Sequence, residues 1–185
     1  MGEDQAVALL RQSGALMDGH FGLASGRHSP VYVEKFRLLE RPGYTEPLCR
    51  LIADRFRADK PDLVAAPTMG GIILSYEVAR LLGLRGIFAE KDAGGRYFGR
   101  GFEIGPGERT LVVDDVLTTG GSIVDVIGAV RRAGGEPIGV GVLVDRSGGA
   151  VDFGVPFYAC ATLDLPSYDS ASCPLCDAGT PLVET

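Results

Sequence analysis

Residues 114–122 carry the residue types of this chain that are best suited to chemistry. An apolar run at residues 111–113 leads into two adjacent carboxylates, and residues 118–122 then supply hydroxyl groups and two glycines at the predicted start of a helix. Unpaired backbone N–H groups and the helix dipole both favour an anion at a helix start. The carboxylates of Asp114 and Asp115 can accept hydrogen bonds from sugar hydroxyls or stabilise positive charge. The pattern therefore predicts a site for a phosphorylated sugar.

Other motifs that bind phosphate or magnesium do not account for this segment. A turn with no function would gain no stability from two carboxylates at the end of a buried strand. The absence of G-K-[ST] excludes a Walker A loop, and the absence of G-x-G-x-x-G at a first βα turn excludes a dinucleotide fingerprint. A magnesium site of a receiver-like domain would explain Asp114 and Asp115, but it would leave residues 118–122 unexplained.

Alternating strands and helices are predicted to position this segment at the edge of a sheet. Between two of the strands, Ile123, Val126, Ile127 and Val130 follow the spacing of one helix face. Strand, helix and strand in this order indicate an α/β fold with a mostly parallel sheet flanked by helices. Strands are predicted at residues 62–66, 86–90, 110–114 and 138–144, and helices at residues 71–82 and 121–133.

The chain is expected to form a single domain, residues 1–185, with a small N-terminal cap. Residues 1–61 break the alternation, with helices predicted at residues 4–16 and 43–57. We interpret them as the cap, residues 62–165 as the core and residues 166–185 as a C-terminal tail. Residues 91–100 are polar and contain glycines, and we expect a mobile loop near the site.

Charge and hydropathy limit the partners and the location. The net charge of -6 and the pI near 4.9 argue against a nucleic-acid partner, because phosphate-backbone binding requires clustered Lys and Arg. No apolar run approaches membrane-spanning length, and the first twenty residues lack the apolar segment of a secretion signal. We therefore expect a cytoplasmic protein with no membrane partner.

The four cysteines fit a reducing compartment better than a disulfide framework. Only Cys173 and Cys176 form a C-x-x-C pattern. A zinc site requires four ligands, and the chain has no second such pair, while His20 and His28 are far away in sequence. We interpret the pair as two thiols in a C-terminal turn, with a zinc ion shared between subunits as the alternative.

At residues 111–122 the chain resembles the type I phosphoribosyltransferases, whose signature is an apolar strand, two acids and a T-T-G-x-S phosphate loop. Within that group it is similar to the orotate phosphoribosyltransferases over nearly its whole length. The matching segments are S-G-R-H-S-P-V-Y at residues 25–32, G-G at 70–71, F-A-E-K at 88–91, V-D-R at 144–146 and C-P-L-C at 173–176. The resemblance implies a type I phosphoribosyltransferase core with an N-terminal hood.

The resemblance also implies a reaction in pyrimidine (UMP) biosynthesis. The phosphoribosyl group of 5-phosphoribosyl 1-diphosphate (PRPP) would pass to orotate, giving orotidine 5'-phosphate and diphosphate. Mg²⁺ would be carried by PRPP rather than by direct protein ligands. Asp114, Asp115 and Lys91 would be the catalytic residues, and Thr118 and Arg146 would hold orotate, with Arg146 facing its carboxylate. No general base is predicted, because orotate can be deprotonated before it attacks.

The same resemblance implies the contacts with PRPP. Asp114 and Asp115 would contact the ribose, and residues 118–122 would bind its 5-phosphate. Residues 68–71 would bind the diphosphate, and Lys91 would reach it from the loop, typically across a homodimer interface. The full set of predicted PRPP contacts is Thr68, Met69, Gly70, Gly71, Lys91, Asp114, Asp115, Val116, Leu117, Thr118, Thr119, Gly120, Gly121 and Ser122.

Two positions depart from the family pattern. Family members often have a basic residue at the position of Gly70, and their loop carries an Arg-Lys pair followed by a Lys and a His. This chain has E-K-D-A-G-G-R at residues 90–96, so Arg96 or Arg100 could replace the missing loop cations. Two other functions stay open: a phosphoribosyltransferase for another, purine, base, and a regulator that senses PRPP without catalysis.

Overall fold

The computed structural model describes residues 2–23 and 25–185, so Met1 and Ala24 of the predicted cap lie outside the described residues. Its strands are β1 Leu16–Gly22, β2 His28–Val33, β3 Leu63–Pro67, β4 Arg85–Asp92, β5 Gly95–Tyr97, β6 Arg109–Leu117, β7 Glu136–Asp145, β8 Phe157–Thr162 and β9 Val183–Glu184. Its helices are α1 Glu3–Gln12, α2 Lys35–Leu39, α3 Pro42–Phe56, α4 Gly70–Leu82, α5 Gly121–Arg132 and α6 Pro174–Asp177, with short 3-10 turns at Arg57–Asp59 and Ser170–Ser172.

A six-stranded sheet in the order β5-β4-β3-β6-β7-β8 forms the centre of the molecule. Every neighbouring pair is parallel except β4 and β5. Side chains alternate between its two faces, so Val113 packs in one apolar cluster with α3 and α4, whereas Val112 packs in a second cluster with α5. The α5 face predicted from Ile123, Val126, Ile127 and Val130 is buried. The predicted α/β fold with a mostly parallel, helix-flanked sheet is confirmed.

Three predictions about individual elements need correction. The strand predicted to end at Asp114 continues to Leu117 because it pairs with β7 as far as Asp145, so both acids lie inside a strand. The first helix ends at Gln12 rather than at residue 16, and Leu16 begins β1. Residues 91–100 are not an irregular loop throughout, because β4 continues to Asp92 and pairs with β5.

A second sheet in the order β2-β1-β9 forms the hood beside the core. β1 and β2 are antiparallel, and the C-terminal strand β9 adds to β1 in parallel through Phe21 and Val183. The tail also contacts β2, where Tyr168 and His28 exchange backbone hydrogen bonds of 2.7 and 2.9 Å. The two ends of the chain are therefore joined in one unit. Among the described helices, none has the length and apolar character needed to span a membrane.

Candidate active site

A cavity of about 350 Å³ opens at the carboxyl ends of β3, β6 and β7. Ligands of open α/β sheets bind at this edge. The cavity brings together residues from the hood, the turn after β3, the acidic end of β6 and the start of α5. Its lining residues are Tyr32, Val33, Lys35, Pro67, Thr68, Met69, Asp114, Asp115, Val116, Thr118, Ser122 and Arg146.

The two acids of β6 form a buried, polar floor for this cavity. The backbone N–H of Asp115 donates to Oδ1 of Asp114 at 2.8 Å, and that of Val116 donates to Oδ1 of Asp115 at 2.7 Å. Nζ of Lys35, on α2 of the hood, lies 3.0 Å from both carboxylate oxygens of Asp115. Burial and the neighbouring Asp115 carboxylate raise the pKa of Asp114 to about 7. The carboxyl groups of Asp114 and Asp115 can therefore stabilise positive charge or accept hydrogen bonds from hydroxyl groups.

Two glycines allow the turn after β3 to approach this floor. A Cβ on Gly70 would overlap with Oδ2 of Asp115, and a Cβ on Gly71 would lie 2.9 Å from that of Ala66. The basic side chain that family members often carry at the position of Gly70 therefore has no room here while Asp115 keeps its position. The peptide bond between Thr68 and Met69 in the same turn is cis.

The predicted phosphate turn follows β6 and begins α5. Gly120 has φ +80, which is the left-handed conformation that glycine adopts readily, and a Cβ there would lie 2.8 Å from Cγ1 of Val151. The first amides of α5 have no partners within the helix, so they can donate to an anion. Residues 116–123 and Asp114 enclose a small cavity of about 50 Å³. The turn has the shape and the donors expected of a phosphate cradle.

Arg146 follows β7 and lines the main cavity. The carboxylate of the neighbouring Asp145 does not pair with it, because Oδ1 of Asp145 accepts from the backbone N–H of Ser147 at 2.7 Å. Within residues 2–23 and 25–185, the Arg146 guanidinium makes no ion pair and no side-chain hydrogen bond. Partial burial lowers its pKa. A planar cation with free donors therefore faces the cavity.

Comparisons with known proteins find relatives that match nearly the whole chain. The family described as phosphoribosyl transferase domain matches residues 38–167. An orotate phosphoribosyltransferase from Pelotomaculum thermopropionicum is 52% identical over 184 residues, which cover 100% of this chain and 97% of the relative. The chain belongs to the orotate phosphoribosyltransferase family. Another member, from Thermus thermophilus, is 47% identical over 179 residues, which cover 96% of this chain and 98% of that relative.

Solved structures extend the likeness to the fold. The crystal structure of an orotate phosphoribosyltransferase from Aeropyrum pernix matches with a TM-score of 0.71 and 30% identity, covering 84% of this chain and 92% of that one. An adenine phosphoribosyltransferase from Rhodothermus marinus matches with a TM-score of 0.66 and 21% identity, covering 86% and 99%. The second likeness shows a shared fold alone.

Arg96 and Arg100, the two candidates for the missing loop cations of this family member, have different surroundings. Arg96 is 7% exposed, and its guanidinium donates to the hydroxyls of Thr68 and Ser122, each at 3.3 Å, and to the carbonyl oxygen of Ala89 at 3.1 Å. Arg100 instead forms an exposed ion pair of 2.8 Å with Glu90, which lowers the pKa of that carboxyl. Arg96, and not Arg100, therefore lies between the turn after β3 and the turn that begins α5.

Lys91 is the one predicted catalytic residue that does not line the cavity of its own chain. It is exposed near the end of β4, directly opposite Arg96 of β5. Cross-strand partners are close neighbours in a hairpin, so the exposed Lys91 lies beside the buried Arg96. The carbonyl oxygen of Arg96 accepts from Nη2 of Arg132 at 2.8 Å, which anchors this hairpin to α5.

Sequence reasoning missed the hood's contribution to the site. Lys35 and Tyr32 line the cavity, although both were placed only within the predicted cap. Tyr32 lies on β2, which was not predicted as a strand, and Lys35 is the first residue of α2. The family resemblance of residues 25–32 is the signal in the sequence that the hood belongs to the site.

Proposed function

We propose that this chain transfers the phosphoribosyl group of PRPP to orotate and releases orotidine 5'-phosphate and diphosphate. The observation that carries the proposal is that one cavity is lined by paired acids, by Thr118 and Ser122 at the start of α5, and by a guanidinium with no side-chain partner among the described residues. Asp114 and Asp115 suit the ribose, and the turn that includes Thr118 and Ser122 suits the 5-phosphate. Arg146 suits a carboxylate, because its planar fork can donate two parallel hydrogen bonds. Orotate carries a carboxylate that uracil and the purine bases lack.

Catalysis would depend on orientation and electrostatics. Loss of diphosphate from the anomeric carbon builds positive charge on the ribose ring, which the carboxylates of Asp114 and Asp115 are placed to stabilise. Negative charge develops on the leaving group beside the turn at residues 68–71, where Arg96 can donate after giving up its bonds to Thr68 and Ser122. We assign no general base. The groups at the cavity hold the two substrates in line and stabilise charge.

Magnesium fits the donors of this cavity. Carboxylate and hydroxyl oxygens line it, and Mg²⁺ prefers such ligands while keeping several waters and binding substrate phosphates. The ion would be carried by PRPP, and Asp114 and Asp115 are the protein groups best suited to accept hydrogen bonds from its water ligands. The ion would neutralise charge on the diphosphate. We propose Mg²⁺ as the cofactor, bound together with PRPP.

We also propose a homodimer in which residues 91–100 reach the neighbouring subunit's site. Large apolar side chains are exposed beside the diphosphate turn, at 72% for Met69 and 70% for Tyr76. Next to them, α4 and the start of α3 border an apolar groove of about 490 Å³. A second copy could cover this surface, and the position of Lys91 outside its own cavity supports a contact in trans. Cytoplasmic location and the single-domain organisation stay predictions.

An assay with purified protein tests the proposal. PRPP and Mg²⁺ are supplied with orotate, uracil, adenine or hypoxanthine in turn, and diphosphate release is measured. We expect turnover with orotate and no comparable rate with the other bases. Turnover of a purine alone would contradict the assignment of orotate. Binding of PRPP without turnover of any base would favour a PRPP sensor.

A further inference from the structure

Outside the candidate active site, two histidines and two cysteines converge where the C-terminal tail meets the hood. His20 lies on β1, His28 begins β2, Cys173 directly precedes α6, and Cys176 lies within that helix. One ligand atom from each of the four lies within 4.8 Å of every other. We propose that these four residues bind a structural zinc ion within a single subunit.

Four distances between the ligand atoms match those of a tetrahedral site. Zn–N bonds of about 2.0 Å and Zn–S bonds of about 2.3 Å place ligand atoms about 3.3 Å apart for two nitrogens and about 3.5 Å apart for nitrogen and sulfur. Nε2 of His20 lies 3.0 Å from Nδ1 of His28 and 3.6 Å from Sγ of Cys173. Sγ of Cys176 lies 3.8 Å from Nε2 of His20 and 3.4 Å from Nδ1 of His28. Each distance is within a few tenths of an ångström of the expected value.

A backbone contact orients one histidine for metal binding. Nδ1 of His20 lies 2.8 Å from the carbonyl oxygen of Thr180. A carbonyl oxygen can only accept, so Nδ1 carries the proton and Nε2 presents its lone pair to the cluster. Histidine ligands of zinc usually donate their second ring N–H to a carbonyl or a carboxylate in this way. The ring of His20 is also almost fully buried, which fixes its direction.

The ligand types favour zinc and a structural role. Two thiolates and two imidazoles in tetrahedral arrangement suit zinc, and four protein ligands fill its coordination sphere. The spacing of two residues between Cys173 and Cys176 is that of common zinc sites. Both cysteines are free thiols, and Cys173 is buried beside His20. The separation in sequence that argued against a zinc site is removed by the tertiary fold.

The proposed ion would fasten the tail to the part of the hood that enters the active site. β2 begins at His28 and continues to Tyr32, which lines the cavity, and Lys35 follows directly. The backbone pairing between the tail and the hood is limited in extent. It consists of the two-residue strand β9 on β1 and the isolated bridge between His28 and Tyr168. Metal binding couples to folding in sites of this kind, so loss of zinc should loosen the hood and the tail together.

Metal analysis of the full-length protein tests the inference. We expect one zinc per chain after purification without added metal, and almost none in Cys176→Ser, whose side chain is exposed and should tolerate the change. Cys160→Ser is the matched control, because this buried thiol donates to the carbonyl oxygen of Leu48 and a hydroxyl can do the same. The control should keep its zinc. Stoichiometric zinc in Cys176→Ser would overturn the proposed ligand set.

Cobalt substitution provides a readout that is independent of catalysis and of variant stability. Apo protein prepared from the wild type and loaded with Co²⁺ should show the strong visible bands of tetrahedral cobalt and a thiolate charge-transfer band, and equimolar Zn²⁺ should remove them. Chelation should lower the melting temperature of the wild type by several degrees and leave that of Cys176→Ser unchanged. A wild-type protein with no bound metal and no cobalt bands, or one isolated with a Cys173–Cys176 disulfide, would overturn the proposal.

Discussion

Nη2 of Arg96 lies 3.3 Å from Oγ of Ser122, so a side chain of β5 reaches the first turn of α5. The same guanidinium donates to Thr68 in the turn after β3. We expect it to bind PRPP, because it links the two turns assigned to the two phosphate ends of that substrate. The hydroxyls of Thr68 and Ser122 are neutral, so they cannot replace its positive charge.

Arg96→Met should therefore weaken PRPP binding. Loss of a charge-assisted hydrogen bond costs about 1.5 to 3 kcal/mol, which corresponds to about a 10- to 150-fold rise in KM for PRPP. Steady-state kinetics with orotate at saturation would measure it, and Arg96→Lys should recover part of the loss. Arg100→Met is the matched control, since its exposed pair with Glu90 lies outside the cavity. Equal effects in the two variants would contradict the role of Arg96.

Asp114→Asn should change how stability depends on pH. The pKa of Asp114 is raised from 3.8 to about 7, so between these values the folded protein holds a proton that the unfolded chain releases. Stability from this group is thus greatest at low pH and falls as the pH rises through this window. When the pH is raised from about 5 to about 8, the free energy of unfolding of the wild type should fall by at most about 2 to 3 kcal/mol more than that of the variant.

Urea unfolding of ligand-free wild type and Asp114→Asn at the two pH values measures this difference. The comparison removes titrations that the two proteins share. A variant whose free energy of unfolding follows the wild type across the window would mean that Asp114 ionises normally in the folded state.

Arg146→Ala should raise the KM for orotate and leave PRPP binding almost unchanged. Its guanidinium faces the cavity without a side-chain partner among the described residues, so it is free to bind a carboxylate. The loss in kcat/KM for orotate should correspond to about 1.5 to 3 kcal/mol. Thermal shift with PRPP serves as the folding control. Unaltered orotate kinetics would remove the main argument for orotate over another base.

Gly120→Val should abolish the thermal stabilisation that PRPP provides. The residue has φ +80 and any side chain would meet Val151, so the turn must open and lose its amide donors. A ligand at a hundred times its dissociation constant adds about 2.7 kcal/mol to wild-type stability. Gly128→Ala, in the same helix, meets only the end of the Arg132 side chain and should keep the shift. An undiminished shift in Gly120→Val would place the phosphate elsewhere.

Lys91→Ala should mainly lower kcat, because this residue is expected to grip diphosphate from a neighbouring subunit when the substrates are bound. Mixed dimers of Lys91→Ala and Asp115→Asn should then regain activity, since one of the two sites has both intact groups. Light scattering would establish the dimer, and tagged subunits would prove mixing. Mixed dimers that stay inactive would indicate that the hairpin serves its own subunit.

The sequence by itself determined the central α/β architecture and the glycine-rich turn that begins α5, because both depend on local patterns. The apolar strands, the face of α5 and the glycines before it are each encoded within about a dozen residues. The acids, the turn and Arg146 could be assigned to one edge because parallel strands end together there. The family resemblance added the roles that these patterns could not supply.

Only the tertiary structure decided which distant residues meet. The pairing of β6 with β7 extends that strand past Asp115, and strand pairing between β4 and β5 turns Arg96 inward while Arg100 stays at the surface. The hood brings Lys35 to Asp115, 80 residues apart. The same hood joins His20 and His28 to Cys173 and Cys176. Such contacts depend on long-range packing. They leave no periodic pattern in the sequence, so the proximity of these residues cannot be inferred from it.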